Sequence, residues 1–283
     1  MTTNKSWTLI EPCAGSFAFT LHMLGAKQAL LPYQGSKWKY RAWLQYVAKW
    51  LGYDGVPTQV ILTDPGPWGV VSGAVLNYKN DVIEALKEFQ DQDPKTVYDS
   101  LIRQKIELEY EVDVAAQFLF LQRVSFSGKS VGFRKLGDEL FWSVPGFNPT
   151  SAYGKEKTDK FGAIKPMIPA LLKVLESYNL SSTVVSSGVQ TASVHEFISQ
   201  PTLVYIDPPY KGQTGYPNGT LSREEVIDLA LGWKKIGASV MVSEAEPIEE
   251  LVSLGWETQK LRAERKTKNP FQTKKNEFVT YIK

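Results

Sequence analysis

The sequence predicts an α/β fold built on a doubly wound sheet, and three observations predict it. Short apolar runs recur and end in an acid: Trp7-Thr8-Leu9-Ile10 before Glu11, Gln59-Val60-Ile61-Leu62-Thr63 before Asp64, and Thr202-Leu203-Val204-Tyr205-Ile206 before Asp207. Segments of helical apolar spacing lie between them. The first run passes through a small-residue turn, Pro12-Cys13-Ala14-Gly15-Ser16, straight into a helix, which is how nucleotide-binding α/β units open.

The elements follow in order. After the first strand, residues 17–25 read as a helix closed by Gly25. The second strand is 59–63, ending in a Pro/Gly turn. Residues 82–90 and 96–122 have helical spacing, and 125–163 is rich in Gly and aromatics without a clear period. Helical spacing returns at 165–178. Strands are expected at 183–186 and 202–206, a helix at 222–236, and strands at 238–243 and 278–282. The irregular middle reads as an insertion, giving a catalytic unit of 1–124 and 181–283 with residues 125–180 inserted.

Composition narrows the class. A chain of 283 residues makes one large domain or two small ones. Its 43% hydrophobic and 22% charged residues are ordinary, which excludes collagen, coiled coil and wholesale disorder. Thirty-two basic against 30 acidic side chains leave +2, which excludes a histone-like polycation but not a local basic patch. The single cysteine, Cys13, forms no internal disulfide, as suits a reducing compartment, and with two histidines it makes no structural zinc site. No run of about 18 apolar residues and no apolar leader is present. The expectation is a soluble, cytoplasmic protein without metal or membrane attachment.

Asp207-Pro208-Pro209-Tyr210 carries the strongest chemical signal. In an open α/β sheet, ligands bind beyond the carboxyl ends of the strands. Two prolines fix φ and remove two backbone donors. Such a loop aims Asp207 and a neighbouring carbonyl at one amino group, and Tyr210 can stack on the base that carries it. The alternative is a strand that merely ends in a proline turn.

This tetrapeptide resembles the catalytic motif of the S-adenosylmethionine-dependent DNA adenine-N6 methyltransferases of the alpha, Dam-type group. Glu11-Pro12-Cys13-Ala14-Gly15-Ser16 resembles the family's cofactor turn, and Tyr33-Gln34-Gly35-Ser36-Lys37 its aromatic-Gly-Lys element. Residues 118–134 resemble the helix and loop that lead into the target-recognition region. Lys275-Asn276-Glu277-Phe278-Val279-Thr280-Tyr281 resembles a late motif near the target-base pocket. The matches span most of the chain, and only the first is specific by itself. The resemblance implies a Rossmann-like methyltransferase fold, a mostly parallel seven-stranded sheet with helices on both faces, with 125–180 as target-recognition region. It also implies a monomer acting on double-stranded DNA, and a compact, solitary enzyme of this kind suits a phage or prophage source.

The implied mechanism flips an adenine out of the duplex. Asp207 and the Pro208 carbonyl accept from its amino group, Pro209 stiffens the loop, Tyr210 stacks on the base, and the nitrogen attacks the sulfonium methyl in line. No covalent enzyme intermediate and no metal are implied. The resemblance gives the cofactor Glu11, Pro12, Cys13, Ala14, Gly15, Ser16, Tyr33, Gly35, Lys37, Asp64 and Asp207. Gly15 lets the backbone approach the methionine part, Glu11 faces its ammonium, Asp64 the ribose, and Lys37 the carboxylate. Glu11 and Asp64 also read as strand caps, and Lys37 as a solvated side chain. Two departures stand out: Phe17 sits where a second glycine is usual, and the aromatic-Gly-Lys element follows the cofactor turn instead of preceding it.

DNA contact is expected from Arg123, Lys129, Arg134 and Lys135 in and before the insertion, and from Lys266, Lys268 and Lys274 in the basic stretch 260–275. Lys155, Lys157 and Lys160 add a cluster. Residues 211–218, with Tyr216, read as a lid. His22 and His195 read as structural. Such a short insertion points to low sequence specificity. Two alternatives remain: cytosine-N4 methylation, which uses the same loop on another exocyclic amine, and a catalytically silent DNA-binding module.

Overall fold

The computed structural model describes residues 6–31, 36–126, 131–153, 167–178, 183–188, 200–209, 221–262 and 276–283. Its strands are β1 (Thr8–Glu11), β2 (Gln59–Thr63), β3 (Lys105–Ile106), β4 (Gly132–Leu136), β5 (Glu139–Ser143), β6 (Val184–Gly188), β7 (Thr202–Ile206), β8 (Ser239–Glu244), β9 (Glu257–Lys260) and β10 (Phe278–Ile282). Its helices are α1 (Ala18–Met23), α2 (Arg41–Trp50), α3 (Trp68–Asn77), α4 (Lys79–Lys87), α5 (Pro94–Leu101), α6 (Glu111–Val124), α7 (Pro149–Tyr153), α8 (Met167–Glu176), α9 (Arg223–Lys235) and α10 (Glu249–Val252), with a 3-10 turn at Lys37–Tyr40.

A seven-stranded sheet runs β6-β2-β1-β7-β8-β10-β9. The first five strands are mutually parallel, and β10 lies antiparallel to both β8 and β9. The protein is thus α/β with a mostly parallel sheet flanked by helices, compatible with a Rossmann-like fold. Strand pleating sorts the core. Leu9, Val60, Leu62, Leu203, Tyr205 and Met241 face a large apolar cluster built with α1–α6 and α8. Their neighbours Ile10, Ile61, Val204, Ile206, Val240 and Val242 face a smaller one built with α9 and α10. Both faces of the central strands are covered, which is why those strands read as continuous apolar runs.

The chain moves from β1 to β2 on one side of the sheet, and β7 pairs on the other side of β1. The carboxyl ends of β1 and β7 therefore flank the point where the strand order reverses, the usual place for a ligand crevice.

Three expectations change. The single helix expected at 96–122 is two helices, because Lys105 and Ile106 pair with Phe141 and Leu140 of β5. The stretch expected to be irregular from 125 holds the β4–β5 hairpin. Gly137 takes a positive φ of 62° in its two-residue turn. Helix α3 was not anticipated after the Pro/Gly turn. It packs so closely that a Cβ on Gly69 would lie 2.3 Å from the Gly188 carbonyl oxygen and 2.5 Å from that of Asp64. Part of the 125–180 range also shares the main core: Leu171, Leu172 and Leu175 of α8 are buried in the large cluster. Among the described residues no helix is long and apolar enough to cross a membrane.

Candidate active site at the carboxyl edge

Five carboxylates gather along the carboxyl edge of the sheet. Glu11 ends β1, Asp64 follows β2, Asp207 follows β7, Glu244 ends β8 and Glu277 precedes the antiparallel β10. Among the described residues one lysine, Lys37, joins them. Each acid sits where an apolar strand runs out, because hydrogen bonding within the sheet stops there and a polar side chain can serve the turn.

The turn after β1 is tied down by its own groups. Glu11 is 2% exposed. Its Oε1 accepts from the Thr20 N–H at 2.9 Å and from the Thr20 hydroxyl. Helix α1 has no side-chain cap of its own, since its N-cap is Phe17. Glu11 thus serves the open end of α1 from the neighbouring strand. Burial pushes its carboxyl up to about 8, against the pull of the Thr20 bonds. Asp64 holds the same turn from β2: Oδ2 accepts from the Gly15 N–H at 3.0 Å and Oδ1 from the Gly66 N–H at 2.8 Å. Burial raises its pKa, and these backbone bonds lower it. The Ala14 N–H donates to the Thr63 carbonyl at 2.9 Å, and the Thr63 hydroxyl to the Pro12 carbonyl at 3.2 Å. Cys13 is buried in the smaller apolar cluster, which drives its thiol strongly toward the protonated form. Ser16 is buried at the start of α1.

Phe17 resolves the missing glycine. Its φ of 35° and ψ of 38° are left-handed, the conformation a glycine adopts freely. Its ring is fully buried and meets Trp68 edge-on at 6.1 Å. Burying that ring is worth about 1.5–3 kcal/mol, enough to offset a left-handed cost of about 1–2 kcal/mol. Gly15 also has positive φ, 44°, and a Cβ there would meet nothing within 4 Å. The turn opens onto free space beside it.

The loop after β7 is built differently. Asp207 Oδ1 accepts from Lys37 Nζ at 2.6 Å. Its Oδ2 has no partner among the described residues. Pro208 is buried and Pro209 half-buried. Pro209 has no N–H, so the peptide between them offers only its carbonyl. Burial raises the Asp207 pKa, and the Lys37 ammonium pulls it back. Lys37 also lies 3.7 Å from Glu277 Oε1, and both side chains are under 10% exposed. Glu244 bonds the Ala245 N–H through Oε2 at 2.9 Å, and burial raises its pKa.

The structure therefore brings together Glu11, Pro12, Cys13, Ala14, Gly15, Ser16, Lys37, Asp64, Asp207, Pro208 and Pro209 at one edge of the sheet. Lys37 is buried rather than solvated, and its ammonium is bound to Asp207. Tyr33, Gly35, Lys129, Lys155, Lys157, Lys160, His195, Tyr210, residues 211–218 with Tyr216, Lys266, Lys268 and Lys274 lie outside the described residues. Arg123 is half-buried in the last turn of α6, has no ion-pair partner among the described residues, and its burial lowers its pKa. Arg134 and Lys135 are exposed on β4. His22 Nε2 lies 3.2 Å from the Gln45 amide oxygen, an acceptor, and the ring lies edge-on to Trp38. Glu244 and Glu277 were missed as site residues. Glu244 had the readable signal, since it too ends an apolar run.

Neither the protein-family models nor the curated proteins compared with this chain match it.

Proposed function

We propose that the protein is an S-adenosylmethionine-dependent DNA methyltransferase that modifies the N6 amino group of a flipped-out adenine. One observation carries the reading. Asp207-Pro208-Pro209 leaves β7 at the point of strand reversal with an acceptor oxygen, Oδ2, free of partners among the described residues.

The residues present fit the cofactor. Asp64, Asp207, Glu244 and Glu277 outnumber Lys37 along the edge, which favours a cationic ligand. Open space beside Gly15 suits close approach to the backbone. Asp64 would face the ribose hydroxyls, and the turn from Pro12 to Ser16 the methionine part. When bound, S-adenosylmethionine supplies the electrophilic methyl group.

The chain's own work is orientation. Asp207 Oδ2 and the Pro208 carbonyl accept the two hydrogens of one amino group, which takes the nitrogen lone pair out of conjugation with the ring and makes the nitrogen tetrahedral and nucleophilic. The proline-locked backbone holds both acceptors in register without local donors competing for them. Fixed acceptors of this kind need no reorganisation as charge develops on the nitrogen. Arg123, Arg134 and Lys135 would meet phosphate, which gives affinity and leaves base readout to other contacts.

The test is methylation of unmodified DNA by purified protein with labelled S-adenosylmethionine, followed by nucleoside mass spectrometry. N6-methyladenine is the expected product, and its sequence context reports specificity. N4-methylcytosine would keep the loop chemistry and change the base. Measured cofactor binding with no methylated nucleoside would remove DNA as the substrate and move the search to RNA or protein, and no cofactor binding would favour the silent DNA-binding module.

A further inference from the structure

We propose that Lys37 is a positioning residue for Asp207, steadied by Glu277, and is not a ligand of the cofactor's carboxylate. This inference rests on the reading of the site as a methyltransferase centre, but the ion pair itself can be tested without turnover.

The three groups converge from distant parts of the chain: the 3-10 turn, the end of β7 and the residue before β10. Lys37 Nζ stands 2.6 Å from Asp207 Oδ1 and 3.7 Å from Glu277 Oε1, with only 6% of its side chain exposed. A carboxylate gripped through one oxygen presents the other in a fixed direction. Here that direction belongs to Oδ2, the oxygen an amino group needs. The grip also decides the protonation state. Among the described residues, the groups other than Lys37 that feel the charge of Asp207 are neutral or anionic: the Glu11 and Glu244 carboxyls, the Tyr205 hydroxyl and the Cys13 thiol, each of whose pKa values rises in its field. Burial works in the same direction on Asp207, and the ammonium opposes it. A protonated Asp207 would turn one acceptor into a donor and lose its hold on the amino group. Lys37 is already engaged by two carboxylates, so a third on the cofactor would have to pull it from Asp207.

The experiment is carbon-13 NMR titration of the aspartate carboxyls in the free, full-length protein, with the Asp207 signal assigned by its loss in Asp207→Asn. Lys37→Met is expected to move the Asp207 midpoint up by about one pH unit or more, as loss of an adjacent opposite charge does. Lys37→Arg, which keeps the charge, should restore the midpoint. Glu277→Gln removes a neighbouring anion and frees Lys37 for Asp207, so it should move the midpoint down. That variant keeps the test decisive if Lys37→Met does not fold. In turnover, the acid limb of the pH profile should follow the same shifts. Calorimetric affinity of Lys37→Met for S-adenosylmethionine should not fall. Unmoved Asp207 midpoints in both charge-removing variants, or a tenfold loss of cofactor affinity in Lys37→Met, would overturn the proposal. A wild-type protein that shows the titration shifts but methylates no DNA would overturn the methyltransferase reading and keep the ion pair.

Discussion

The turns after β1 and β7 leave neighbouring strands at the same edge of the sheet, yet they are built on opposite plans. The β1 turn has its polar groups filled, by its own helix and by the end of β2. Glu11 serves Thr20, Asp64 serves Gly15 and Gly66, and Thr63 serves Ala14 and Pro12. The β7 loop consumes almost nothing internally, since its prolines carry no donors and its aspartate is held from outside by Lys37. The difference separates two uses of a buried acid. Where its oxygens are filled by backbone donors, the acid shapes a surface. Where one oxygen is left over, the acid is available to a ligand.

The largest effect should come from breaking the β7 side. Asp207→Ala should lower single-turnover methyl transfer by about 10³-fold, or about 4 kcal/mol of barrier. Folding should persist, because Glu277 remains beside Lys37. Turnover near the wild-type rate, with a normal melting curve, would erase the contrast between the two turns.

The β1 side should answer in stability. Glu11→Ala orphans two buried donors on Thr20, for a loss of about 3 kcal/mol in thermal or denaturant unfolding. Glu11→Gln keeps an acceptor and removes the titration. The folded carboxyl titrates at about 8, against about 4.3 in an unfolded chain. The folded state thus favours the protonated form. Its contribution is complete below the unfolded value and is lost as pH rises through the folded one. Glu11→Gln should therefore gain on the wild type as pH rises across that window, by about 5 kcal/mol at its top. A gap that stays constant with pH would mean that Glu11 does not titrate as its burial requires.

Asp64→Asn leaves one of two backbone donors without its acceptor, for about 1 kcal/mol of stability. It should also weaken S-adenosylmethionine binding by calorimetry, and an unchanged dissociation constant would confine Asp64 to holding Gly15. The smallest effect belongs outside both turns. Replacing Arg134 and Lys135 with alanine should reduce the salt slope of DNA binding by about two, and an unaltered slope would move β4 away from the phosphates.

Much of the fold was legible because burial on two faces leaves a one-dimensional trace. The strands at 59–63, 202–206 and 278–282 could be read from apolar runs alone, and they stand at those positions. The hairpin β4–β5 was not legible, since β4 is largely exposed, β5 is mostly half-buried, and neither carries apolar alternation. Ile106 was absorbed into a helical pattern because its β5 partner, Leu140, lies far along the chain. The acids Glu11, Asp64 and Asp207 stood out as ends of apolar runs. Glu277 did not, because it precedes its strand, and only the antiparallel direction of β10 brings it to the same edge.

By itself the sequence determined that the chain forms strands and helices in alternation and that acids cap the strand ends, because propensity, pleating and turn chemistry act over a few residues. It could not decide what each acid does. Glu11 and Asp207 look alike along the chain, each an acid before a proline. Tertiary structure separates them: Thr20 comes back onto Glu11 within the same unit, while Lys37 reaches Asp207 across 170 positions of sequence. The physical reason is that a buried carboxylate takes its role from the donors packed against it, and those donors are chosen by strand order and not by neighbours in the chain.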